Sequence, residues 1–222
     1  MKELRIHVET FFDIQKTRIA VTNRIKAYQR LGVEVPGELN WFLEDTRLLE
    51  DKIKFRIMNV MKHMPLYTEW ASKVKGIGPL LLAQAVALIG DISRFPNVSK
   101  LWKYSGYHVE EGKAPRKRRG AKASWNHKLK TVFWKIGRQL IMAKGSYYRY
   151  YLKFRKYYDE REDLKDESDL HKHMMAMRRM IKLFISHLWA VWRELEGLPV
   201  TEPYPIAILG HKTYISPWDM TE

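Results

Sequence analysis

Between Leu4 and Val60, apolar side chains recur at helical spacing, and the recurrence stops once, at Leu31-Gly32-Val33-Glu34-Val35-Pro36-Gly37. Such spacing keeps one side of a helix apolar, and two glycines with a proline do not carry a helix through the break. Leu4, Phe11, Ile14, Val21, Ile25 and Tyr28 form a first heptad-like seam, with His7 and Arg18 as its polar members. Leu39, Phe42, Leu49, Ile53 and Val60 form a second, interrupted by Thr46 and Arg56. Two helices of similar length joined by a short break predict an antiparallel helical hairpin, coiled-coil-like, over residues 1–64. A seam completed by another copy of the chain, giving a homodimer, explains the same pattern equally well.

The rest of the chain also carries the helical period. Leu66 to Val74 leads into Lys75-Gly76-Ile77-Gly78-Pro79, and Pro79 to Ile89 continues as an apolar helix, so residues 66–89 predict a helix-hairpin-helix. Asn97 is an N-cap for a short helix to Tyr104, and residues 108–123 lack apolar periodicity and read as a loop. Ser124 is expected to cap the next helix, which buries Leu129, Val132, Phe133, Ile136 and Leu140 and ends at Gly145. Ser146 opens a tyrosine-rich helix to Tyr158, and after an acidic connection Leu170 to Glu196 forms a long helix with Met174, Met177, Ile181, Phe184, Leu188 and Trp192 inward. The tail from Gly197, with Pro199, Pro203, Pro205 and Pro217, is expected to pack extended over the body. No strand pairing and no internal repeat is visible. The fold expected is all-α, divided as 1–64, 65–196 and 197–222.

Several function classes drop out on composition. The 222 residues include no cysteine, which removes thiolate zinc sites, iron–sulfur clusters, thiol nucleophiles and disulfides. No paired carboxylates, Ser/His/Asp set or phosphate-binding nucleotide loop occurs. His171 and His173 stand two apart, on different faces of a helix, so neither a metal nor a cofactor is expected. Met1-Lys2-Glu3-Leu4-Arg5 places charges where a signal peptide needs an apolar run, and no stretch is apolar for the length of a membrane span, so a cytoplasmic protein is expected. The lack of cysteine with abundant Lys and Glu suits a thermophile.

Charge says what the partner is. The chain holds 40 Lys+Arg against 25 Asp+Glu, and the whole excess of +15 lies between Lys100 and Tyr158, where Glu110 and Glu111 are the only acids. Solubility alone intersperses both signs, whereas a basic block is the footprint of a polyanion, most simply nucleic acid, with a nucleoid-associated location. Gly76-Ile77-Gly78 offers a tight turn whose backbone can approach a phosphate, with Lys73 and Lys75 beside it. Lys113, Arg116, Lys117, Arg118, Arg119 and Lys122 form an arm suited to a narrow groove or to bidentate phosphate contact. Lys128, Lys130, Lys135 and Arg138 add a basic face to the helix over 125–144. The tyrosines at 147–158 suit base stacking, but Tyr147, Tyr151, Phe154 and Tyr158 share one helical face, the mark of core packing.

Gly76-Ile77-Gly78-Pro79, Ile89-Gly90-Asp91-Ile92-Ser93-Arg94-Phe95-Pro96, Leu101, Tyr104-Ser105-Gly106-Tyr107, Arg119-Gly120 and Asn126-His127-Lys128-Leu129-Lys130 follow one another at a known spacing. From Gly76 to Tyr151 the chain resembles the C-terminal domain of the IS116/IS110/IS902 insertion-sequence transposases, bridge-RNA-guided recombinases of mobile elements. The resemblance implies double-stranded DNA as partner, with RNA as the other candidate. It also implies a preceding coiled coil, to which residues 4–64 are similar. The family's RuvC-like domain with its acidic tetrad has no counterpart in these residues. Its catalytic serine lies in a Ser-Gly pair before the basic stretch, and Glu111-Gly112 takes that place here, with no serine between Ser105 and Ser124. A carboxylate cannot make the covalent phosphoserine link, so the resemblance implies a catalytically inactive DNA-binding relative. The alternatives are an active strand-transfer enzyme using Ser105, Ser124 or a tyrosine, and a structured-RNA binder.

Overall fold

The computed structural model describes residues 1–117, 119–120, 122–201 and 214–222, and it is all-α. Helices α1 (Lys2–Arg30) and α2 (Gly37–Met61) lie antiparallel, joined through Gly32 at φ +67°. Leu4, Val8 and Phe11 share one core with Ile53, Ile57 and Met61, while Val21 and Ile25 meet Leu43 near the turn. The α2 seam differs from the one expected. Its buried line is Leu43, Thr46, Glu50, Ile53, Ile57 and Met61, one position round from Phe42, Leu49 and Arg56, and Phe42 and Leu49 are exposed. Polar pairing explains the rotation. Glu50 is buried and ion-paired to Arg18 and Lys54, and the Thr46 hydroxyl donates to the carbonyls of Leu43 and Phe42. Burial pushes the Glu50 carboxyl up, but bonds to Arg18 and Lys54 outweigh it and hold it below the usual range. On α1, Val8 joins the core and Tyr28 stays exposed.

After α2 the chain makes a π turn, Leu66–Trp70, and a 3-10 turn, Ala71–Lys73, where a plain helix was expected. Trp70 is fully buried, stacks on Phe184 at 5.7 Å and donates to the carbonyl of Pro217 at 3.1 Å. Helix α3 (Pro79–Ile89) begins with Gly78 as N-cap and is buried from Leu82 through Ala87 and at Ile89. Helix α4 (Val98–Ser105) is capped by the Asn97 side chain, which accepts from the Lys100 amide, and closes at Gly106 in the left-handed region.

Helix α5 (His127–Ala143) is capped by Asn126 and not by Ser124: Asn126 Oδ1 accepts from the Leu129 amide at 3.0 Å. Its last turn closes on Lys144 at φ +56°, and Gly145, expected to end it, caps α6 (Ser146–Asp159) instead. Helix α7 (Asp169–Leu195), capped by Ser168, runs through the core and buries Met177, Ile181, Phe184, Leu188 and Trp192, although Met174 is exposed. A Cβ at Gly137 of α5 would come within 2.6 Å of Ile181, so the missing side chain lets α5 and α7 touch. Tyr147 is buried and shares a 2.7 Å hydrogen bond with His187 Nδ1, and Tyr151 shares one of 2.8 Å with His173 Nδ1, which is the core role. The tail ends in a 3-10 turn, Pro217–Met220, held by a Ser216–Asp219 capping box, and so is not wholly extended. Pro203 and Pro205 lie outside the described residues. No helix among the described residues is long and apolar enough to cross a membrane.

Candidate nucleic-acid interface

The basic loop leaves α4 at Gly106 and enters α5 at Asn126. Its start is pinned by α7: Arg178 donates to the carbonyl of His108 at 2.6 Å and to that of Gly106 at 3.5 Å. Glu110 and Lys113 bond each other's backbones at 2.9 Å in both directions, closing a tight turn in which Glu111 (φ +49°) and Gly112 (φ +76°) are both left-handed. A left-handed glutamate is strained, and such backbone concentrates at working sites. Further on, Pro115 is buried and its carbonyl accepts from Lys130 Nζ at 3.4 Å. Lys113, Arg116, Lys117, Arg119 and Lys122 are exposed on either side of that anchor, and none has a carboxylate within ion-pair distance among the described residues. Arg118 lies outside the described residues.

Lys130 therefore parts from the other α5 cations. It turns inward over the Trp125 ring at 4.9 Å, and burial together with Arg178 lowers its pKa. Its task is to hold the loop. Lys128, Lys135 and Arg138 lie on a different side of α5, with Lys128 over the Phe12 ring at 5.5 Å and Arg138 over Trp134 at 5.2 Å. Seven residues separate Lys128 from Lys135 and four more reach Gln139, so this row follows one helix face to the place where the Gly76 turn docks.

At that turn the two glycines do different things. Gly76 has φ +96°, and a Cβ there would lie 2.7 Å from Ala143 Cβ and 3.0 Å from the Gln139 carbonyl oxygen. Its bare face is taken by α5, so Gly76 brings α3 and α5 together. Gly78 has nothing within 4 Å of a Cβ position, so the open approach lies at the N-terminus of α3. Ile77 is buried, an anchor of the turn. Lys73 and Lys75 are exposed; the Lys73 carbonyl accepts from the Glu222 amide, and Lys75 Nζ is 4.0 Å from the Glu222 carboxylate. Glu222 also accepts from Ser146 Oγ at 3.0 Å and pairs with Arg149 at 3.3 Å, and this setting lowers its pKa. A carboxylate thus rests on a hydroxyl and between two cations, beside the N-terminus of α6, much as a phosphate oxygen does.

A second set of cations was not singled out in the sequence. Arg178, Arg179 and Lys182 of α7 line a cleft with Lys113, Arg116 and Lys117 of the loop. Tyr150, Tyr158 and Trp102 line it too, as do the acids Glu110, Glu111 and Glu167. Arg179 lies over Phe154 at 3.7 Å and Lys182 over Trp102 at 4.0 Å, and none of the three α7 cations has a carboxylate partner among the described residues. Burial, then the charges of Arg178 and Arg179, bring the Lys182 pKa down to about 8. An anion entering this cleft would stabilise all three. The signal available in the sequence was Arg178-Arg179 with Lys182 one turn on, hidden by the acidic net charge of the flanking segments.

Ser105 is fully buried, and its hydroxyl donates to the carbonyls of Leu101 and Trp102 at 2.8 and 3.3 Å, which leaves no exposed nucleophile there. Among the described residues no group of three or more His, Asp or Glu side chains could hold a metal ion.

Residues 69–153 match the transposase IS116/IS110/IS902 family. The matched segment runs from the π turn through α3, α4, the basic loop and α5 to α6, which bears out the resemblance read from Gly76 to Tyr151 and makes this part of the chain transposase-related. Helices α1, α2 and α7, with the α7 cations, lie outside it. No curated protein and no solved structure matches the chain.

Proposed function

We propose that the chain is a cytoplasmic, nucleoid-associated double-stranded DNA-binding relative of a transposase C-terminal domain, without strand-transfer activity, that pairs with a second copy through its N-terminal helices. The observation that carries the reading is the convergence on one cleft of cations from the transposase-matched loop and from α7, none of them ion-paired to a carboxylate among the described residues. The work divides as 1–64 for association, 65–196 for DNA and 197–222 for packing over the body. Lys128, Lys135 and Arg138 follow the phosphate backbone along α5. The Gly78 end of the helix-hairpin-helix, with Lys73 and Lys75, anchors one phosphate at the α3 N-terminus, and Ile77 holds the turn to the core. Lys113, Arg116, Lys117, Arg118, Arg119 and Lys122 form an arm that follows a groove, positioned from below by Lys130.

Inactivity is supported by Glu111-Gly112 at the Ser-Gly place and by the buried, bonded Ser105. Direct competition among duplex DNA, single-stranded DNA and hairpin RNA of matched length tests the partner, and a denaturing gel for a covalent protein–DNA adduct tests the chemistry. The expected result is duplex preference with no adduct. RNA winning the competition, or an adduct lost on Ser124→Ala, overturns the corresponding half of the reading.

A further inference from the structure

On α2 the face turned away from α1 carries large apolar side chains in open solvent. Trp41 (62 %), Leu48 (55 %) and Phe55 (67 %) recur every seven residues, and Phe42 (40 %) and Leu49 (50 %) run beside them. Scattered exposed apolar residues are ordinary, but a heptad stripe along one helix is the mark of a helical partner. Between these rows stand Asp45 and Lys52, both exposed and neither in an ion pair among the described residues. Over the whole helix, Glu38, Glu44, Asp45 and Arg47 leave the first half net negative, and Glu50, Asp51, Lys52, Lys54 and Arg56 leave the second net positive, with Lys54 ion-paired to Glu50 and Asp51.

We propose that this face binds the same face of a second copy, antiparallel, about a two-fold axis between Leu48 and Leu49. In that register Leu48 meets Leu49 of the other copy, Phe42 meets Phe55, Asp45 meets Lys52, and Arg56 lies over the Trp41 ring. Each contact occurs twice by symmetry, and the acidic start of each α2 lies along the basic end of its mate. A parallel pairing sets Asp45 on Asp45 and Lys52 on Lys52. Sliding the antiparallel pair by one heptad either way sets one of these residues on its own copy. Of these arrangements, the two-fold between Leu48 and Leu49 alone sets Asp45 and Lys52 opposite each other at both ends of the pair. The assignment deepens the homodimer reading above and rests on it.

The test is light scattering on the full, nuclease-treated chain at micromolar concentration, with circular dichroism as the folding control. Wild type is expected to be a dimer. Asp45→Lys, which sets lysine against Lys52, and Lys52→Asp, which sets aspartate against Asp45, each weaken self-association by about tenfold or more. The double reversal restores the dimer, and so does mixing the two single variants, because each then supplies the charge the other lacks. A monomeric wild type overturns both this pairing and the homodimer reading. A dimer that neither reversal weakens, or that the double reversal fails to restore, overturns the α2 pairing and leaves the homodimer reading standing on another surface.

Discussion

Gly76 and Gly78 stand two residues apart and serve opposite ends. Gly76→Ala forces an L-residue to φ +96° with its Cβ 2.7 Å from Ala143, so it should lose about 1–3 kcal/mol in urea unfolding. Gly78→Ala meets nothing within 4 Å and has an ordinary extended backbone, so it should cost under about 1 kcal/mol while still weakening duplex binding severalfold. Equal destabilisation by the two changes would contradict the separation of roles. The sequence showed that a tight turn belongs at Gly76-Ile77-Gly78. Which glycine faces α5 and which faces solvent depends on Gln139 and Ala143, far away in the chain, and spacing carries no such information. Lys130 is a similar case: in the sequence it is one of four α5 cations, and only the position of Trp125 and Pro115 draws it inward.

At the level of elements, helix positions were legible nearly throughout, because apolar period, Asn97 and the glycine breaks are local signals. The α2 seam was not, since it turns on an ion pair between the half-buried Arg18 and the buried Glu50, and a count of apolar residues scores both as interruptions. In the sequence, helix α7 reads as core alone, because its apolar stripe dominates the period and its three clustered cations stand between acidic segments. Their role has a pH signature. Lys182 has a pKa of about 8 beside Arg178 and Arg179 when no anion is bound, and a phosphate in the cleft raises it. Binding then takes up a proton above that pKa. Duplex affinity should fall between about pH 7.5 and 9, by up to about tenfold per unit at the steepest, and Lys182→Met should flatten the profile. A wild-type profile as flat as that of the variant would remove Lys182 from the interface.

Across the whole molecule, α7 and the end of the tail close one core. His187 sits in it, buried, hydrogen-bonded to Tyr147 and to the carbonyl of Ile215 at 2.9 Å, and burial brings its pKa down to about 4. The unfolded chain protonates this histidine near pH 6.5, so the folded state binds fewer protons between those values. Its contribution is present above about pH 6.5 and is lost as the pH falls towards 4, on the order of 3 kcal/mol in all. The urea midpoint should drop between about pH 7 and 5, and His187→Gln should shrink the drop. Identical pH dependence in the two proteins would mean that carboxylates elsewhere govern acid unfolding. The tertiary neighbours of His187 were invisible in the sequence for the same reason as those of Gly76: they come from 40 and 28 residues away.

The DNA-binding account stands or falls on charge made useful by geometry. Duplex affinity measured against salt concentration, for wild type and for a variant with Lys113, Arg116, Lys117, Arg119 and Lys122 changed to Gln, tests it most directly. The account predicts a steep linear fall of log affinity with log salt in wild type and a slope shallower by about 4.5 in the variant, about 0.9 of a released counterion for each of the five lost phosphate contacts. The same slope in both proteins, or a flat response in wild type, would contradict it.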